Sequence, residues 1–190
     1  MTPLPNLFDC IKIYDNSLPL EHLSTLLQWI DKQEEFESAT VGSNELKEDI
    51  RKAKCLCLTA KHGKKTLVHW HNYLTHMFLN KIKEYQKIFP ELRINNYLDI
   101  NILKYEKTGF YKYHTDNSTF HPRTISLIYL LNNDYKGGEL CFGHPTNYEE
   151  VFHVPVVPNR LIMWPSNFLY PHSVNPVTEG VKYSIVAWGL

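Results

Sequence analysis

The feature that most constrains this chain is a change of pattern at Leu92. Before it, apolar residues recur every three or four positions: Leu20, Leu23, Leu26, Leu27 and Ile30, then Leu67, Trp70, Leu74, Met77, Phe78, Ile82 and Tyr85. Such spacing gathers them on one face of a helix. It predicts a first helix over about 19–34, with Ser17 or Asn16 as cap, and a second over about 64–88 that stops before Pro90. Between them, 35–50 reads as a polar, irregular surface loop, and Cys55 to Ala60 as a short strand. After Leu92, segments rich in Ile, Val, Tyr and Phe run between turn signals such as Lys107-Thr108-Gly109, Asn132-Asn133-Asp134, Lys136-Gly137-Gly138, Pro158-Asn159 and Thr178-Glu179-Gly180. The expectation is an α+β fold, mainly β: a double-stranded β-helix, or jelly roll, with N-terminal helices buttressing one sheet. At 190 residues the chain is about one domain, with helical and strand support over 1–92 and a jelly-roll core over 93–190.

Composition excludes several classes of function. Twenty Lys+Arg balance twenty Asp+Glu, so there is no basic excess for bulk nucleic-acid binding. A 43% apolar fraction supplies a core, which argues against disorder. No apolar run approaches the roughly 18 residues of a membrane helix. Asp9, Lys12 and Asp15 stand where a signal peptide needs its apolar stretch. Cys10, Cys55, Cys57 and Cys141 form no Cys-x-x-Cys, which fits reduced thiols in a cytoplasmic protein, and Asn117-Ser118-Thr119 is then a coincidental glycosylation match. The end at Leu190, just past Trp188, leads to the expectation of no C-terminal extension.

The chemistry-bearing residues lie in the β half. His114-Thr115-Asp116 puts an imidazole and a carboxylate on the same side of a strand, a spacing that is near chance by itself. His172, where a later strand should begin, is a third candidate ligand. Two histidines and one carboxylate make a facial triad, the donor set of non-haem Fe(II) oxygenases, with zinc as the competing ion. Ten residues on, across an expected hairpin through Asn175–Gly180, stands Lys182. The same His-to-Lys spacing occurs at His22/Lys32 and His71/Lys81, so Lys182 gains its weight from position. Alternation places Lys182, Ser184, Val186 and Trp188 on one face and Tyr183, Ile185 and Ala187 on the other. A buried ammonium needs an anion that no fixed acid in its segment supplies, and a co-substrate carboxylate would supply it. His69, His71 and His76 read as helix-surface or packing residues, and His121, His144 and His153 as loop or edge residues, because no spaced carboxylate accompanies them.

Taken together, Tyr105-x3-Gly109-x-Tyr111-x2-His114-x-Asp116, Arg123 before the strand Thr124–Leu131, Gly137-Gly138-Glu139-Leu140, Pro158-x-Arg160-Leu161, Pro165-Ser166 and Pro171-His172-x9-Lys182-x5-Trp188 resemble the 2-oxoglutarate- and Fe(II)-dependent dioxygenases, in their prolyl-4-hydroxylase-like branch. The resemblance covers about 99–189. It implies that His114, Asp116 and His172 hold Fe(II), and that Lys182 pairs with the distal carboxylate of 2-oxoglutarate while Tyr105 and Ser184 donate hydrogen bonds to it. Tyr111, Arg123 and Trp188 fall where this family contacts substrate. For Tyr111 and Trp188, plain aromatic packing is an equal alternative. Some prolyl hydroxylases carry a second co-substrate tyrosine seven residues after the arginine. Here Leu130 holds that position and Tyr129 is one step out of phase, so either the anchor is thinner or Tyr129 faces elsewhere. The implied reaction consumes 2-oxoglutarate and O2, with ascorbate as an auxiliary reductant, releases succinate and CO2, and hydroxylates a prolyl residue in a protein or peptide, over which the 35–50 loop would fold. Nucleic-acid demethylation is disfavoured by the balanced charge. A free-amino-acid or other small-molecule hydroxylase, and a non-catalytic jelly-roll module binding a metal or a peptide, are the competing readings.

Overall fold

The computed structural model describes residues 6–42, 45–58, 64–95 and 97–190. Two α-helices occur in it, α1 (Leu20–Asp31) and α2 (Lys65–Ile88), both close to the positions the periodicity predicts, besides a 3-10 turn at Leu7–Cys10. The strands of the N-terminal half are β1 (Lys12–Tyr14), β2 (Glu37–Ser38), β3 (Arg51–Lys52) and β4 (Lys54–Cys57). The β half contributes β5 (Leu98–Tyr105), β6 (Phe110–His114), β7 (Ile125–Leu130), β8 (Lys136–Gly137), β9 (Leu140–Gly143), β10 (Glu150–Val154), β11 (Arg160–Pro165), β12 (His172–Val174), β13 (Val177–Glu179) and β14 (Lys182–Gly189).

These strands form two antiparallel sheets facing each other, the jelly-roll architecture expected. The larger runs β1-β11-β7-β14-β5-β4-β2 and the smaller β10-β9-β12-β6-β3, while β8 and β13 form a separate ribbon. The long central strands separate two cores by simple alternation. On β14, Tyr183, Ile185 and Ala187 point outward to the helices, joining Leu26, Ile30, Leu74, Phe78 and Ile82. Each fully buried aliphatic side chain there contributes roughly 1.5–3 kcal/mol of transfer free energy, which holds both helices on that face. Val186 and Trp188 point inward with Leu103, Tyr105, Ile128 and Leu130, toward the smaller sheet.

Three local expectations need correction. Neither Asn16 nor Ser17 caps α1: its N-cap is Pro19, without a side-chain hydrogen bond, and Ser17 Oγ instead donates to the Tyr14 carbonyl (3.0 Å). Proline's fixed φ sets the entry into the helix. The 35–50 segment is not wholly irregular, because β2 pairs with β4, Val41 bridges Glu45, and Ala39 is buried. Ser43 and Asn44 of that segment lie outside the described residues, as do Thr59 and Ala60 of the expected Cys55–Ala60 strand, of which β4 is the described part. Finally, Asn175–Gly180 is not a hairpin turn. It carries the chain from β12 in the smaller sheet to β14 in the larger, and β13 pairs with β8 on the way. Gly137 and Gly180 take φ of +74° there, and a Cβ on either would meet a carbonyl oxygen, that of Pro176 at 2.2 Å or of Asp134 at 2.6 Å.

Candidate active site

The two sheets bring His114, Asp116 and His172 together, with one ligand atom from each within 4.8 Å of the others. His114 closes β6 and His172 opens β12, and the two are direct register partners. Asp116 lies two residues beyond the end of β6, so its convergence does not come from strand alternation as the sequence suggested. It is held in place instead: Ser126 Oγ donates to Asp116 Oδ2 at 2.7 Å, and Ser166 Oγ backs Ser126 at 2.7 Å. Each histidine turns Nδ1 to a backbone carbonyl, His114 to Lys112 (2.9 Å) and His172 to Tyr170 (3.0 Å). A carbonyl can only accept, so Nδ1 carries the proton and Nε2 keeps its lone pair. Both Nε2 atoms face Asp116, at 3.7 and 3.4 Å.

The electrostatics suit a cation. Burial, and then neighbouring His172, push the His114 imidazole down to about 3, so it is neutral at physiological pH. Burial works to raise the Asp116 carboxyl, but the two imidazoles, the Ser126 hydroxyl and Arg123 overcome it and hold Asp116 below the usual carboxylate range. Two imidazoles and one carboxylate, buried, hydrogen-bonded on their outer atoms and open on their inner ones, have the donor chemistry a divalent metal requires.

Lys182 is 1% exposed. Its Nζ donates to the Gly138 carbonyl at 2.5 Å and lies 5.6 Å from the ring of Tyr105, its direct partner across β14 and β5. Burial lowers its pKa to about 8, against the opposing charge of Glu139. Glu139 is a fixed acid that the segment-by-segment reading missed, because it comes from the neighbouring β8–β9 connection. Burial raises the Tyr105 hydroxyl to about 12, so Tyr105 remains a hydrogen-bond donor. Ser184 is buried on the same wall, paired with Leu130. Tyr129 faces the other way, donating to Asn159 Oδ1 at 2.7 Å in the helix-side core.

Outside the triad opens a cleft of 490 Å³ whose lining includes Tyr111, Asp116, Arg123 and Trp188. Tyr111 stacks on His114 with ring centroids 3.5 Å apart. The Arg123 guanidinium lies 3.5 Å from the Trp188 ring centroid and bridges Asp99 (3.7 Å) and Asp116 (3.9 Å), so it reaches the site rather than a surface loop. The cleft floor continues the larger sheet outward through Asp99 and Asn101 on β5, Cys55 and Cys57 on β4 and Glu37 on β2. Asp99 and Asn101 alternate with Leu98, Ile100 and Ile102, a polar-inward pattern legible in the sequence. His121, set aside as a loop histidine, is also in the lining, with Nε2 3.0 Å from the Gly42 carbonyl.

A sequence model described as the 2OG-Fe(II) oxygenase superfamily matches residues 100–189, the stretch that carries the triad, Tyr105, Ser184 and Lys182. Over that stretch the chain is similar to that superfamily. Among curated relatives, it is 24% identical over 118 residues to a PKHD-type hydroxylase of Idiomarina loihiensis, covering 60% of this chain and 52% of that protein. It is 32% identical over 92 residues to a PKHD-type hydroxylase of a Synechococcus species, covering 44% of this chain and 39% of that protein. The chain thus spans about half the length, or less, of the curated relatives it matches. In fold it resembles a Pseudomonas putida prolyl-4-hydroxylase (TM-score 0.72, 22% identity, 95% of this chain and 92% of that one). It also resembles a Trichoplax adhaerens prolyl hydroxylase solved with a hypoxia inducible factor peptide fragment (TM-score 0.71, 21% identity, 95% and 83%). Among the described residues no helix is long and apolar enough to cross a membrane.

Proposed function

We propose that this protein is a 2-oxoglutarate- and Fe(II)-dependent dioxygenase that hydroxylates a prolyl residue in a protein or peptide and releases succinate and CO2. The observation that carries the reading is the meeting of two imidazole Nε2 atoms and one carboxylate beside a buried lysine on the same inner wall. His114, Asp116 and His172 hold Fe(II), which when bound supplies the one-electron chemistry that couples oxidative decarboxylation of 2-oxoglutarate to C–H hydroxylation. Lys182 neutralises the distal carboxylate of the co-substrate, and Tyr105 and Ser184 donate hydrogen bonds to it. Tyr111, Arg123 and Trp188 position the substrate residue and, by packing closely, keep water from the reacting atoms. The peptide bound by the Trichoplax enzyme supports a peptide over a free amino acid.

The rest of the reading is consistent with this. Residues 1–190 act as one oxygenase unit, with 1–92 as support, since both helices pack directly on the larger sheet. Ascorbate serves as auxiliary reductant. The four unpaired cysteines fit a cytoplasmic setting. The test is to incubate the purified protein with Fe(II), 2-oxoglutarate, O2 and a library of proline-containing peptides and sequence the products by mass spectrometry. Gain of one oxygen on a proline is expected. Oxygen gained only on other residues or on free amino acids would overturn the prolyl assignment.

A further inference from the structure

Arg51 has no part in the reading above, yet it stands at the centre of the site. It lies on β3, at the edge of the smaller sheet, as the register partner of Tyr111. Its side chain lines both the inner cavity around the triad and the outer cleft. The guanidinium carbon sits 4.6 Å from the Tyr111 ring centroid, and Tyr111 in turn stacks on His114, so cation, phenol and imidazole form one column ending at the triad. One guanidinium nitrogen donates to the Thr40 carbonyl at 2.9 Å. The Arg51 charge also acts on the hydroxyl of Tyr105, the residue paired with Lys182, against the effect of burial. Its Nε is buried without a hydrogen-bond partner among the described residues.

A buried donor left without an acceptor is costly, and a native structure retains one where something else meets it. The polar groups of the same cavity, Asp116 and the Tyr105 and Tyr111 hydroxyls among them, make no hydrogen bond to that nitrogen. Leu103, Ile128, Val174 and Val186 line the same cavity with hydrocarbon, and Leu130 faces Ser184 nearby. A ligand oxygen fits the requirement, and a planar guanidinium fork is the side chain best matched to a carboxylate. We propose that Arg51 is a second carboxylate-recognition group for 2-oxoglutarate, working beside Lys182 and presented by the segment between α1 and β4.

This inference rests on the oxygenase reading. The co-substrate is a dianion, and Lys182 brings one positive charge to the inner wall. Arg51 adds another on the Tyr105 side of the same cavity.

The test uses the Mn(II)-loaded protein, which binds without turnover. Calorimetric titration of 2-oxoglutarate into wild type, Arg51→Met and Arg51→Lys gives the affinities, and Mn(II) titration without co-substrate is the control. Loss of a charge-assisted hydrogen bond predicts about a 10-fold to 100-fold weaker 2-oxoglutarate Kd for Arg51→Met. Arg51→Lys should be intermediate, and both variants should bind Mn(II) like wild type. An unchanged or tighter Kd in Arg51→Met, with or without a raised peptide KM, overturns the assignment. An equal loss of Mn(II) affinity does so as well, because it marks general damage to the site. Failure of the wild type itself to bind 2-oxoglutarate overturns the oxygenase reading, and this inference with it.

Discussion

Lys182 should cost the metal-free, co-substrate-free protein stability, and replacing it should restore that stability. The ammonium is 1% exposed and its pKa falls from 10.5 to about 8, chiefly through burial. At 1.36 kcal/mol per pKa unit, the charged lysine destabilises the folded state by roughly 3 kcal/mol at neutral pH. Lys182→Met keeps most of the volume and removes the charge, but leaves the Gly138 carbonyl without its 2.5 Å donor, which costs about 1 kcal/mol. The variant should therefore gain about 2 kcal/mol at pH 7 in urea unfolding. The sign with pH is fixed. The folded-state pKa is depressed, so between about 8 and 10.5 the unfolded chain binds more protons than the folded one, and wild-type stability rises with pH. The advantage of Lys182→Met should accordingly shrink across that window. A variant less stable than wild type at pH 7, or an advantage independent of pH, would refute the reasoning.

Other consequences follow from the same geometry. The affinity for 2-oxoglutarate should fall as pH rises through about 8, by up to about tenfold per unit as Lys182 loses its proton, and Lys182→Arg should flatten that profile in calorimetric titration. Ser126→Ala removes the hydroxyl donated to Asp116 and should weaken Mn(II) binding by about 10-fold to 100-fold, as measured by equilibrium dialysis, and cost about 1–3 kcal/mol of stability by leaving Asp116 and Ser166 short of a buried partner. Asn159 accepts from Tyr129 Oη and the Leu18 N–H and donates to the Leu18 carbonyl, tying the segment before α1 to the jelly roll. Asn159→Ala strands these buried partners and should cost about 3 kcal/mol in urea unfolding, and a cost below about 1 kcal/mol would contradict that role.

Much of this arrangement was legible in the sequence because period-3.6 and period-2 patterns report burial directly. The helix faces and the two sides of β14 are cases of that rule. The triad and Lys182 were legible through residue type and order along the chain. What sequence missed depends on contacts between elements distant in the chain. Ser126 reaches Asp116 from β7, and Glu139 acts on Lys182 from the β8–β9 connection. Arg51 stands sixty-odd residues before His114, between the 35–50 stretch read as a surface loop and the strand expected from Cys55, where no sequence signal singled it out. The expected hairpin after His172 failed for a related reason, since local turn signals cannot say whether a chain returns to its own sheet or crosses to the facing one.

The most direct test of the account is succinate formation from 2-oxoglutarate by the purified protein with Fe(II) and O2, beside His114→Ala and Asp116→Asn. The account predicts turnover in the wild type, raised by a proline-containing peptide, and its loss in both variants while 2-oxoglutarate and iron remain in excess. Absence of succinate from the iron-loaded wild type, or turnover that survives both substitutions, would contradict it.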